Sequence, residues 1–367
     1  MRIAVLEESA PGERRVALVP DNVARLVKSG HAVRLERGAG EAAGYPDTAY
    51  AAAGATLGSP AETLEGAEVL AAVQRPSAEL VERLPAGLLL VGLLQPDRSR
   101  PLLEALAARG VAVLAMEKVP RITRAQAMDA LSSQASLAGY KAVLVGANAL
   151  PRLLPMMTTA AGTLAPAKVF VVGAGVAGLQ AIATARRLGA VVSAFDVRPA
   201  VKEQVQSLGA SFVEVPAVAA EGQGGYAKEL GQEEQARVLS AIAAHVADMD
   251  LVITTAQIPG KPAPRLVTAA MVRTMRPGSV IVDLAAETGG NCELTRPGET
   301  VLEGGVAVVG AVNLPASMPL HASQAYGRNV LTLLQHLATG EGAPRLDPAD
   351  EITGAMLVVH DGKVRAT

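Results

Sequence analysis

The chain reads as an α/β protein in which two domains, each a doubly wound parallel sheet, are joined by long helices. Three observations predict this. The 367 residues exceed what one hydrophobic core usually supports. Half of the composition is hydrophobic, yet only 2% is aromatic and Trp is absent, a mix that suits helices packed on buried aliphatic strands. Short apolar runs also alternate with helical patterns, the signature of right-handed βαβ units with helices on both faces of a sheet.

In the first series, residues 2–6, 31–35, 69–73, 88–94 and 111–116 read as buried strands. The helix expected over 21–28 is opened by Pro20 and Asp21 and stopped by Gly30. Residues 124–145 predict a long connecting helix, followed by a loop rich in Pro and Thr (Pro151, Pro155, Thr158, Thr159, Pro166). The second series has strands over 169–172, 191–195, 212–215, 251–254, 280–284 and 306–309. From Ala316 the tail is helical to about Ala338, then contains Pro and Gly, and ends in a strand pattern over 356–359. These residues alone do not say which domain the tail joins.

Bulk chemistry excludes several functions. With 33 basic and 35 acidic residues and no Lys/Arg run interleaved with aromatics, the chain lacks the footprint of a nucleic-acid binder. Cys292 is the single cysteine, so no intrachain disulfide or CxxC site can form. The five histidines show no HExxH-type spacing, and no metal is expected. The opening MRIAVLEES is a strand pattern too short for a signal-peptide core. No stretch offers the roughly 18 uninterrupted apolar residues that cross a bilayer, so a soluble chain is expected.

Residues 168–178, KVFVVGAGVAG, run a β-branched strand straight into Gly173, Gly175 and Gly178, with a helix after them. A bare GxGxxG is weak evidence, but this context is the one it requires. The first glycine permits the tight turn, the second lets the backbone approach a pyrophosphate, and the third allows helix and strand to pack closely. The helix N-terminus then offers N–H groups and partial positive charge to the anion. Asp196 closes the next strand 18 residues after Gly178, where a carboxylate would accept bonds from the adenosine ribose hydroxyls and repel a 2′-phosphate. This favours NAD(H) over NADP(H), although Arg198 is a residue type that can accommodate that phosphate. The first series carries no such loop, so one dinucleotide site per chain is expected, in a Rossmann-like domain.

Two further stretches stand out. Residues 217–232, AVAAEGQGGYAKELGQ, hold four glycines and a lone Tyr226, the composition of a functional or simply surface loop. Residues 121–140, RITRAQAMDALSSQASLAGY, bring Arg121, Gln126, Asp129 and Ser132 close in sequence. On a helix Asp129 and Ser132 share a face. They could cap that helix, or form a cradle for a nicotinamide with Gln126 pointing outward.

Together with RxxRAQxMDxLSSQxxLAGY, the blocks GAGVAGLQAIATARRLGAVVSAFDVR, EGQGGYAKEL and TTAQIPGKPAP resemble the NAD(H)-binding component of proton-translocating transhydrogenases, in order and over essentially the whole chain. The resemblance implies two Rossmann-like domains, one of residues 1–125 plus about 315–367 and an NAD(H)-binding one of 126–314. It implies that Arg121, Asp129 and Ser132 hold the nicotinamide mononucleotide half of NAD(H). Gln126 would reach across a subunit interface toward NADP(H) on a partner, and with Arg121 and Asp129 it would make up the catalytic set. The turn residues Gly173, Ala174, Gly175, Val176, Ala177 and Gly178, with Asp196, Val197, Arg198, Thr255 and Ala256, would bind the rest of the nucleotide, and Tyr226 would ride a loop that closes over it. Hydride would pass directly between the two nicotinamides, coupled to proton movement through a membrane-spanning subunit. The chain would then be a homodimer, cytoplasmic and peripheral on the inner face of the membrane.

Alanine dehydrogenases resemble the same architecture, including an Arg in an RVALVP-like segment, here Arg15. That family uses a Lys and a His where this chain has Gln74 and Gln95, which carry no charge and cannot titrate. A third reading is a non-catalytic NAD-binding regulatory module. It differs from the first in what Gln126 must do, since a catalytic cradle stays open toward its partner.

Overall fold

A computed structural model describes residues 1–215, 231–258, 260–338 and 342–365. The strands are, in chain order, β1 (Arg2–Val5), β2 (Ala32–Glu36), β3 (Thr56–Gly58), β4 (Val69–Ala71), β5 (Leu89–Gly92), β6 (Ala112–Ala115), β7 (Met157–Thr159), β8 (Gly162–Leu164), β9 (Lys168–Val172), β10 (Val191–Phe195), β11 (Ser211–Phe212), β12 (Leu251–Thr254), β13 (Val280–Asp283), β14 (Thr300–Glu303), β15 (Val306–Gly310), β16 (Leu357–His360) and β17 (Lys363–Val364). The chain forms two compact units, Met1–Gln134 with Pro315–Thr367, and Ala135–Leu314.

The first unit is built on the eight-stranded order β17-β16-β6-β5-β4-β1-β2-β3. Strands β1 to β6 run parallel, while β16 pairs antiparallel with β6 and β17 with β16. The second unit is built on β11-β10-β9-β12-β13-β15-β14, parallel except for β14. In each unit the first five parallel strands follow the order 3-2-1-4-5 of a doubly wound sheet, whose crevice opens at the carboxyl ends where the order reverses. In the second unit that reversal lies between β9 and β12, which pair from Leu251 with Val169 to Thr254 with Val172.

Strands buried on both faces read as near-continuous apolar runs. Along β9, Val169 and Val171 enter one buried cluster, while Phe170 and Val172 enter the cluster on the other face. Along β1, Ile3 and Val5 face one core and Ala4 the other.

Several expectations need correction. The Pro/Thr-rich stretch is not simply a loop, because β7 and β8 form an antiparallel hairpin within it. The expected 212–215 strand is the two-residue β11, and the sheet edges β3, β14 and β17 lie outside the expected runs. The single helix expected over 124–145 is broken. A 3-10 stretch, Thr123–Met128, ends at Asp129 (φ −71°, ψ 87°), and the α-helix runs over Ala130–Ala149. The helix Pro20–Lys28 does start on Pro20, and Gly30 beyond it takes φ +82°.

Candidate functional site

The turn after β9 is shaped by two contacts that glycine alone permits. Gly173 has φ +98°, and a Cβ there would sit 2.6 Å from Thr255 Oγ1. A Cβ on Gly178 would collide with the Gly173 carbonyl oxygen. Gly175 differs: a Cβ there would find only Arg198 Nη2, at 3.9 Å, so the space over the second glycine is open, as a diphosphate approaching the backbone requires. The helix Val176–Arg187 starts here, with the Leu179 N–H donating to the Gly175 carbonyl at 2.8 Å. Its first-turn N–H groups have no intrahelical acceptor, the arrangement by which a helix N-terminus can take an anion.

Asp196, just beyond β10, is tied to this turn. Its Oδ2 accepts the Ala174 N–H at 2.7 Å and Arg198 Nη2 at 2.8 Å, and its Oδ1 accepts the Arg198 N–H and Nε, both at 2.9 Å. The pair is largely screened from solvent, with side chains 6% and 17% exposed for Asp196 and Arg198. Val197, between them, is partly buried.

Thr255 and Ala256 follow β12. The Thr255 hydroxyl donates to the Gly173 carbonyl at 3.0 Å, so this loop locks the turn from below. Ala256 is held in turn by Asn291, whose Oδ1 accepts the Ala256 N–H at 3.0 Å while its Nδ2 donates to the carbonyls of Ala256 and Pro264 at 2.9 and 2.8 Å. Asn291 is fully buried, and a buried amide with its groups paired is a rigid brace. The fully buried Asp283, at the end of β13, accepts the Cys292 N–H at 3.0 Å and the Thr295 hydroxyl at 2.6 Å, fixing the segment that carries Asn291. Sequence reasoning missed this brace; its only signal was the pair Gly289–Gly290, with φ +105° and +82°, directly before Asn291. Cys292 is buried and its thiol is pushed up to about 11 mainly by desolvation, so it is no nucleophile at neutral pH. Gly139 was missed as well. A Cβ on it would collide with the Ala177 carbonyl, so a helix-interior glycine lets the helix Ala130–Ala149 lie against the nucleotide turn.

In the first unit, Arg121 and Gln126 are exposed. Asp129 caps the helix: its Oδ1 accepts the Ser132 N–H at 2.9 Å and its Oδ2 the Ser132 hydroxyl at 2.6 Å. Asn329, on the helix Pro319–Leu337, donates to the Ala127 carbonyl at 2.8 Å and accepts the Ser133 hydroxyl at 2.7 Å. The segment that carries Gln126 is thereby held at its base while its side chain faces outward. Tyr226 lies outside the described residues.

The first unit also buries a polar cluster. Arg15 donates through Nε and Nη2 to both oxygens of Glu13, at 2.8 and 2.7 Å, and through Nη1 to Gln134 Oε1 at 2.8 Å. Gln74 Nε2 adds a bond to Glu13 Oε2 at 3.0 Å. Gln95 adopts φ +50°, rare for a residue with a side chain, with Glu117 accepting its N–H and that of Leu94. Among the described residues, no group of three or more His, Cys, Asp or Glu is placed to hold a metal ion.

The sequence matches two family models: alanine dehydrogenase/PNT, N-terminal domain, over residues 4–138, and alanine dehydrogenase/PNT, C-terminal domain, over residues 142–367. An NAD(P) transhydrogenase alpha-subunit polypeptide of Rhodospirillum rubrum is 48% identical over 374 residues, an alignment spanning 99% of this chain and 97% of that protein. Among solved structures, the transhydrogenase from Sinorhizobium meliloti superposes with a TM-score of 0.90 at 46% identity, covering 100% of both chains. An L-alanine dehydrogenase superposes with a TM-score of 0.83 at 30% identity, covering 99% of this chain and 96% of the other.

Proposed function

The chain belongs to the alanine dehydrogenase/PNT family, and from that premise we propose that it is the NAD(H)-binding component of a proton-translocating NAD(P) transhydrogenase. One observation carries the choice between the family's two chemistries: a fully formed nucleotide turn accompanies Gln74 and Gln95, uncharged where an amino-acid dehydrogenase needs a cation and a proton carrier. The 48% identity to a transhydrogenase alpha subunit supports the same side.

In this reading NAD(H) supplies the nicotinamide C4 that gives or takes the hydride. The helix Val176–Arg187 and the backbone of Gly173 to Gly178 hold the diphosphate, Asp196 holds the adenosine ribose, and Arg121, Asp129 and Ser132 hold the nicotinamide half. Asp129 and the Ser132 hydroxyl already form one hydrogen-bonded unit, in which the hydroxyl proton is spent on Asp129 and the remaining oxygen lone pairs can accept from an amide NH2 or a ribose hydroxyl. Gln126 works outward, aligning the partner's NADP(H). Direct transfer requires reacting carbons roughly 3 to 3.5 Å apart with water excluded, and no protein acid or base.

The NADP(H)-binding and membrane-spanning partners, the coupling to proton movement, the homodimer and a peripheral place on the inner membrane face belong to the same proposal. Their support is the family resemblance. No helix among the described residues is long and apolar enough to cross a bilayer.

The test is to mix the purified chain with an NADP(H)-binding transhydrogenase component and follow reduction of an NAD analogue by NADPH. Turnover is expected, and Gln126→Asn is expected to slow it while leaving NADH affinity nearly intact. NADH binding without turnover beside a competent partner points to the regulatory module instead, and loss of NADH binding in Gln126→Asn refutes the outward role of Gln126.

A further inference from the structure

Asp196 has no acceptor capacity to spare. An ionised carboxylate offers about four lone-pair positions, and four N–H donors from Ala174 and Arg198 fill them at 2.7 to 2.9 Å. Two of the four are main-chain groups fixed by the turn and by the end of β10. The other two belong to the Arg198 guanidinium, forked onto both oxygens. A ribose diol can be accepted only if those two leave.

We infer that Arg198 is a competitor for the nucleotide's ribose and a latent ligand for a 2′-phosphate, held in check by Asp196. The inference rests on the nucleotide assignment proposed above. When the ribose hydroxyls bind, they take over Oδ1 and Oδ2 as donors, and the guanidinium swings aside with its charge intact. Its Nη2 already stands 3.9 Å from the position of a Cβ on Gly175, at the open side of the turn, so a short rotation keeps it at the site's rim. Selectivity for NAD(H) then has two parts. The carboxylate repels a 2′-phosphate directly, and it also occupies the Arg198 guanidinium, a cation beside the turn that could neutralise that phosphate in a bidentate pair. A bare Asp at this strand end would supply only the first.

The consequence for affinity runs against the usual expectation that removing a cation beside an anionic ligand weakens binding. Arg198→Met leaves the Arg198 main-chain donor in place and frees two acceptor positions, so NADH should bind more tightly, by roughly five- to twentyfold. Arg198→Lys, which cannot fork onto both oxygens, should fall between Met and the parent. Asp196→Asn removes the negative charge and releases the guanidinium, so NADH should weaken while NADPH affinity rises by about tenfold or more. In the double variant Asp196→Asn/Arg198→Met the gain for NADPH should vanish.

The experiment is a fluorescence titration of the full chain and these four variants with NADH and with NADPH, with circular dichroism confirming each fold. Tighter NADH binding by Arg198→Met, together with an NADPH gain in Asp196→Asn that needs Arg198, establishes the exchange. If the parent binds NADH while Arg198→Met binds it equally or more weakly, the competitor role is overturned and the nucleotide assignment stands. If Asp196→Asn gains no NADPH affinity, or keeps its gain without Arg198, the latent phosphate role is overturned. A parent chain that ignores NADH overturns the nucleotide assignment and this inference together.

Discussion

Glu8 follows β1 and accepts the N–H groups of Val73 and Gln74 at 2.5 and 3.0 Å, closing the end of the first unit's sheet. Desolvation pushes its carboxyl from an ordinary 4.5 up to about 7, against the pull of those two bonds. The folded chain therefore prefers the protonated form. Below pH 4.5 Glu8 is neutral in both states and costs nothing; as pH rises toward 7 the unfolded chain ionises it freely while the fold resists. Stability should fall across that window and level off above pH 7, by roughly 1 to 3 kcal/mol from this residue. In Glu8→Gln the slope should flatten, because no charge is left to desolvate, although the amide NH2 faces one N–H donor and lowers the whole curve somewhat. Urea unfolding midpoints from about pH 4.5 to 8 decide it: parallel curves for parent and variant refute the assignment of the slope to Glu8.

At the scale of elements, the helix Ala130–Ala149 makes the sharpest claim. Alanine in place of an exposed helix-interior glycine ordinarily stabilises by about 1 kcal/mol. Gly139→Ala should do the reverse, because its Cβ would meet the Ala177 carbonyl, a backbone atom that can yield only if the helix or the nucleotide turn moves. A loss of about 1 to 3 kcal/mol and weaker NADH binding are expected. Gly146→Ala on the same helix is the control: the atoms nearest its Cβ belong to the end of the Leu251 side chain rather than to backbone, and a side chain yields more readily than a carbonyl. Thermal midpoints and NADH titrations of the two variants test this, and a Gly139→Ala chain with higher stability and parental affinity sinks it. The same helix shows what sequence could and could not tell. That a long helix lies here was legible from a run of helix-forming residues without Pro, but its bounds and the break at Asp129 were not, because no Gly or Pro marks the break and the cap is made by a carboxylate that also suits a helix. The central strands were legible because burial on both faces makes them uniformly apolar. β3 and β14 were not, being short, partly exposed edges without a continuous apolar run. The turn glycines announced themselves by spacing, whereas Asn291 works through contacts with Ala256 and Pro264, 35 and 27 residues away, and no local pattern records those.

At the scale of the whole molecule, the family holds two chemistries on one architecture, with an L-alanine dehydrogenase superposing at a TM-score of 0.83. The first unit argues against the dehydrogenase here. An amino-acid substrate needs a cation for its carboxylate, and Arg15 has its guanidinium forked onto Glu13 and bonded to Gln134. A substrate would have to displace a buried carboxylate that Gln74 also holds. It needs, in addition, a proton acceptor for the amine, and neither Gln74 nor Gln95 can titrate. The chain alone, given L-alanine and NAD, should therefore produce no NADH above a buffer control by absorbance, while still binding NADH in a titration. Gln74→Lys by itself should stay inactive: the new ammonium would lie beside Glu13 and pair with it, and no proton carrier would stand at position 95. Sustained NADH formation from alanine by the parent chain would move it to the other branch of the family, and activity in Gln74→Lys alone would show that the Glu13 pairing does not close this pocket.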